Sequence, residues 1–267
     1  MASRVPAFGA AALASLAFCA SMAAAEPPTE LPAVEVRGES RAPREQKTVA
    51  DLLAVQNIFE RERSTYAPQA ELRIRVLPRH DTADLPALEL RHGDQREPVV
   101  LDALGRFAIP RAWRQLPPDA IVRSPLPAGR LAWAVDVRTP DLAPDTRRLG
   151  DLRLECRADL YGGALARGIK PPTFYALRVV SDVCTSRQVQ VGFFTDRPVW
   201  AVSLSHAGRH AELPERWMHG SVMGQTSRMF PLLDWPYALR DRFVVLPADK
   251  WQDWPHDAVV ELEGMTQ

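Results

Sequence analysis

From Glu71 onward, apolar and polar residues alternate. In ELRIRVLP, Leu72, Ile74 and Val76 point one way and Arg73 and Arg75 the other; in RLAWAVDVR, Leu131, Trp133, Val135 and Val137 share a face. Leu88 and Leu90 repeat the pattern around Glu89. A period of two is strand geometry, because successive side chains leave opposite faces of a sheet. The 24 prolines act in the same direction, since each removes a backbone donor and favours short strands joined by turns. These features predict a mainly β protein, with a β-sandwich over residues 68–148 and a second β region over 149–267.

One stretch breaks the period. In TVADLLAVQNIFERER, Val49, Leu52, Leu53, Val55, Ile58 and Phe59 form a helical stripe, and Thr48 is placed to cap the first turn. A single amphipathic helix is expected over residues 48–64. The segment before it, residues 26–47, is rich in proline and charge and is expected to be extended and mobile.

EPVVLDALGRFAIP reads as a hairpin. Asp102 can bond the turn amides, Gly105 can take a positive φ, and Val99, Leu101, Phe107 and Ile109 fall on one apolar face. The strand, Asp-x-x-Gly-x-Phe turn and following strand, with matching residues Asp102, Gly105 and Phe107, resemble the carboxypeptidase-regulatory-like and transthyretin-like β-sandwich modules of exported proteins. The resemblance spans residues 68–140 or so. It implies an accessory or interaction role and brings no catalytic residue with it.

In the second half, Leu152, Leu154, Cys156, Ala158 and Leu160 alternate with charges, as in a strand that turns Cys156 inward. QVQVGFF and VWAVSL read as a second hairpin across TDRP, with Phe193, Trp200, Val202 and Leu204 facing the core. Final strands are expected at DRFVVLP and DAVVELE.

The first 25 residues carry an early Arg4, an Ala/Leu/Phe run and Ala23-Ala24-Ala25 before Glu26, the pattern of a cleaved secretory signal. Phe18 stands where a lipobox needs a small residue, so lipid anchoring at Cys19 is not expected. No later stretch is long and apolar enough to span a bilayer. Export points to the periplasm or the exterior, and it leaves Cys156 and Cys184 as a pair expected to form a disulfide.

The charge balance narrows the partners. Lys plus Arg and Asp plus Glu each total 33, so no net field favours nucleic acid. There is no Gly-x-Ser-x-Gly elbow, Walker loop or dinucleotide fingerprint, and neither a catalytic residue nor a cofactor is assigned. His206, His210 and His219 are the nearest approach to a metal site, and a loop placement is expected to keep them apart. Trp251 and Trp254 in WQDWP are candidates for stacking on a glycan or a partner. In LPAVEVRGES, Val34, Glu35, Val36 and Gly38 resemble the TonB box of outer-membrane TonB-dependent receptors, although the chain lacks a receptor's barrel. Val34 and Val36 share one side of a would-be strand that could add to a partner sheet. The functions to be weighed are an exported, non-catalytic envelope accessory or interaction protein, a glycan- or cell-wall-binding module using the late tryptophans, and a metal-dependent hydrolase using the three histidines.

Overall fold

The alternating stretches of the first half form strands, several of which pair with strands distant in sequence. The computed structural model describes residues 43–79, 85, 87–163, 182–185, 191–218, 241–246 and 251–265. In the first half, strand β1 (Arg44–Thr48) leads into helix α1 (Val49–Tyr66). Strands β2 (Glu71–Pro78), β3 (Leu88–His92), β4 (Gln95–Val99), β5 (Arg106–Phe107), β6 (Ile121–Pro127) and β7 (Leu131–Arg138) follow. They make two antiparallel sheets, ordered β1-β6-β3-β4 and β5-β2-β7.

The two sheets enclose the first core. Ile74, Val76, Phe107, Trp133 and Val135 meet Leu88, Leu90 and Val122, and α1 closes one side with Val49, Leu52, Val55 and Phe59. The fold is thus mainly β with a sandwich, as the alternation predicts. The Thr48 hydroxyl accepts from the Asp51 N–H at 3.0 Å, satisfying one orphan donor of α1.

The Asp102–Gly105 turn forms, but not as a hairpin. Asp102 Oδ1 accepts from the N–H groups of Leu104 and Arg106, each at 2.9 Å, and Gly105 has φ 75°. The strands on either side then part, β4 pairing with β3 and β5 with β2. The turn carries the chain from one sheet to the other. A Cβ on Gly105 would lie 2.8 Å from the Val76 carbonyl, so the turn seats directly on β2 because the residue has no side chain.

Residues 44–47 are extended, as expected, but they are held by the chain's own sheet as most of β1. Glu45 is fully buried, and its carboxylate accepts from Trp133 Nε1 at 3.0 Å and from the Gly129 N–H at 2.7 Å.

The second half begins with β8 (Thr146–Arg148) and helix α2 (Leu149–Gly162), followed by β9 (Val191–Phe194), β10 (Val199–His206), β11 (Arg209–Glu212), β12 (Phe243–Leu246) and β13 (Val259–Gly264). Their sheets are ordered β11-β10-β13-β8 and β12-β9. The final two strands stand where the sequence places them. The hairpin expected across TDRP does not form, since β9 pairs with β12 and β10 with β11 and β13. Residues 41–267 constitute one compact unit.

Helix α2 corrects the strand reading of residues 152–160. It packs against α1, β7, β8 and the turn at 183–185, so Leu149 to Leu154 are all buried, whatever their polarity. A helix enclosed on several sides loses its 3.6-residue signature, and the chance alternation of Leu152, Leu154 and Ala158 imitates a strand. Gly163, at φ 65°, ends it with its N–H bonded to the Asp159 carbonyl.

The expected disulfide is present. Cys156 of α2 and Cys184 stand with Cα atoms 5.8 Å apart and are bonded, closing a separation of 28 residues. Thiol titration of the unfolded, unreduced protein is expected to leave both cysteines unreactive. Replacing the pair by serine is expected to lower stability by about 2–4 kcal/mol. Two reactive thiols at these positions would refute the bridge.

Candidate functional site

The residues most able to do chemistry lie where the two halves meet. The outward face of β5-β2-β7 carries Arg106, Arg75, Asp136 and Arg138, which a solvent-exposed strand face readily accommodates. Here the face is covered. Arg75 is 3% exposed and Asp136 is 3% exposed. The turn between β9 and β10 lays Asp196 among them, 3.3 Å from Arg75, 2.8 Å from Arg138 and paired with Arg106. Asp136 accepts from Arg106 Nε at 3.1 Å and from Arg138 Nε at 2.8 Å.

Burial alone would raise the Asp136 carboxyl, but Arg147, Arg138 and Arg106 together hold it at about 2. Asp196 is displaced in the same direction, its burial outweighed by Arg138, Arg106 and Arg75. Glu155 of α2 goes the other way. It is held above the usual carboxylate range by burial, although its Oε2 accepts from Arg147 at 2.6 Å and from the Val137 N–H at 3.0 Å. Asp136, Asp196 and Glu155 are each engaged by arginines of the same chain, which ties the two halves together.

Nothing in the alternation of β2, β5 and β7 distinguishes this network from an exposed face. Its one local signal is Arg75, on the side of β2 opposite Leu72, Ile74 and Val76. What covers it comes from residues 195–197, and no local pattern in the chain announces that contact.

The histidines do not converge. His206 pairs with Arg209 and Ser205 with His210 across the β10–β11 hairpin, so the two imidazoles leave opposite faces. His206 Nε2 lies 3.3 Å from Asp257, whereas His210 lies 3.9 Å from Glu212. His219 is outside the described residues. The hairpin tip and Asp257 border an open depression of about 500 Å³. Among the described residues, no cluster of three or more His, Cys, Asp or Glu side chains is placed to hold a metal ion. Ser203 and Ser205 occupy the polar face of β10, where Ser203 reaches Glu261 at 3.3 Å.

Trp251 and Trp254 are each 6% exposed and belong to the second core, with Leu149, Leu152, Val202 and Val260. The Arg209 guanidinium lies 4.2 Å over the Trp254 ring. The stacking surface proposed for these two rings is therefore buried against the chain's own residues.

Trp200 is the reverse case. It is expected in the core and is 53% exposed. The reason is a register shift between Val199 and Ala201 where β10 pairs with β13, which inserts Trp200 into the ladder and turns its ring outward. Val199 faces the core in its place at 1%. Met265, 39% exposed, follows Gly264, the pairing partner of Val199. A bulge was not predictable from VWAVSL, because it depends on the register of β13.

Val34 and Val36 lie outside the described residues. Two of the described edge strands, β1 and β4, are poor templates for strand addition. β4 carries Pro98 among exposed charges, and β1 turns Glu45 and Lys47 inward. Among the described residues, no helix is long and apolar enough to cross a membrane. No protein-family model, curated protein or solved structure matches this chain.

Proposed function

We propose that this chain is an exported, non-catalytic accessory protein of the cell envelope that acts by binding another protein. Trp200 carries the reading. A large aromatic ring held outward by a bulge near the start of β10, with exposed Met265 following the strand it pairs with, suits an anchor for a partner pocket, where tryptophan contributes most per residue. The internal pairing of the buried carboxylates and arginines supports a scaffold role, since each is already committed to holding the fold. The leader-like first 25 residues and the Cys156–Cys184 bridge suit an oxidising compartment outside the cytoplasm. The resemblance of the Asp102–Phe107 turn to accessory sandwich modules points the same way.

The test compares cross-linked partners captured from envelope extracts by the wild type and by Trp200→Ser. The substitution is on the surface and is expected to change stability by less than about 0.5 kcal/mol, which denaturant unfolding checks first. Recovery of the partner is expected to fall by at least ~30-fold, as for an interface anchor. Equal recovery by the two proteins would dismiss the proposal.

A further inference from the structure

We propose that Arg153 and His256 form a proton-sensitive latch, which holds residues 251–258 against the two helices at neutral pH and loosens them in acid. Arg153 is 9% exposed and donates to three backbone carbonyls of one short segment, those of Trp251 at 2.8 Å, Gln252 at 3.3 Å and Trp254 at 3.1 Å. Its Nη1 also lies 2.8 Å from His256 Nδ1. A guanidinium only donates, so this contact requires His256 Nδ1 to be an acceptor. The imidazole is thereby a neutral ring with its proton on Nε2.

The same segment is docked at two further points. The His256 ring meets Tyr66 edge-on, 4.8 Å between centroids. The His256 carbonyl accepts from the Gly150 N–H at 2.7 Å, an approach that a side chain at position 150 would block against Tyr66 and His256. The segment shields the second core with Trp251 and Trp254 and runs on into β13, an interior strand of its sheet.

Protonation turns the acceptor at Nδ1 into a donor and sets one cation against another at hydrogen-bond distance. The groups facing His256 decide the balance. Arg153 comes from α2 and Tyr66 from α1. Asp257 lies on the segment itself and is shared with His206. Behind Tyr66, Asp182 accepts from its hydroxyl at 3.3 Å, and Arg157 lies over its ring and pairs with Glu62 and Asp182. Asp257 favours the imidazolium, but burial and then Arg153 oppose it and hold His256 below the ordinary histidine range. The unfolded segment takes up a proton near pH 6.5 while the docked one does not, so docking weakens as the pH falls below that value.

His256→Gln keeps a hydrogen-bond acceptor for Arg153 and removes the titration. Amide hydrogen exchange, corrected for intrinsic rates, is expected to show local opening of residues 251–258 rising at least ~10-fold between about pH 7.5 and pH 5 in the wild type, and staying nearly constant in the variant. The imidazole NMR signals of the wild type are expected to report a neutral ring protonated on Nε2 at about pH 7.5. Equal pH dependence in the two proteins would overturn the latch. So would a wild-type imidazole carrying its proton on Nδ1 at neutral pH, a reading that does not depend on the variant's folding.

Discussion

Asp136→Ala is expected to destabilise the protein by about 3–5 kcal/mol, the cost of removing one partner from a buried ion network. The carboxylate sits between Arg106 and Arg138, with Arg147 near enough to help depress its titration. Its loss leaves buried Arg106 and Arg75 with Asp196 as the remaining carboxylate that the described residues bring to them, beside the Thr195 carbonyl that accepts from Arg75. Buried guanidiniums cannot shed their protons to escape, so the penalty falls on the fold. Denaturant unfolding should show the midpoint moving at a nearly unchanged slope. A loss under ~1 kcal/mol is the signature of an exposed pair, and it would mean that the 195–197 turn does not cover this face.

The same group sets a pH dependence. A carboxyl at about 2 in the folded chain and near 3.8 when unfolded contributes on the order of 2 kcal/mol. That contribution is complete above the ordinary aspartate range and is lost as the pH falls from about 4 towards 2. Glu155 has the opposite sign: burial raises its carboxyl in the folded chain, so its contribution is complete below the ordinary glutamate range and is lost as the pH rises above it towards the folded value. The stability difference between wild type and Asp136→Asn should therefore shrink between about pH 5 and pH 2. A difference independent of pH in that window would contradict the network as described.

Phe107→Ala is expected to cost about 3–5 kcal/mol, as for other buried aromatic side chains. Phe107 is 4% exposed, pairs with Ile74 across β5 and β2, and meets Trp113 and Trp133 with ring centroids 6.2 and 6.4 Å away. The Trp133 contact is edge-to-face, and Trp133 also donates to buried Glu45. The cavity thus opens beside the residue that pins β1. Relaxation into it would strain the Glu45 contact, which places the expected loss in the upper part of the range. Denaturant unfolding is again the measurement, and a loss under ~1 kcal/mol would contradict the packing seen at this position.

The turn at Asp102–Gly105 separates what is local from what is not. Its side-chain bonds and its positive φ involve residues within four positions of one another, and they form as the residue types dictate. The choice of sheet for each flanking strand rests on β3 and β2, which lie earlier in the chain, and it reverses the hairpin expectation. The 195–198 turn repeats the lesson. Asp196 is drawn to Arg75, Arg106 and Arg138, and Pro198 has no N–H to offer a ladder, so β9 and β10 diverge.

The mainly β class, the Thr48-capped helix, the inward Phe107 and the pairing of Cys156 with Cys184 are legible in the residues alone. Each follows from a period, a cap or a residue count that no distant contact overrides. Tertiary contacts alone make residues 152–160 a helix, turn Trp200 out and Trp251 and Trp254 in, and bury Arg75 and Arg106 with Asp136 in one ion network. The physical reason is common to all three. Burial depends on what packs against a segment, and here the covering elements are α1, β13 and the 195–197 turn, each far along the chain from the residues it covers.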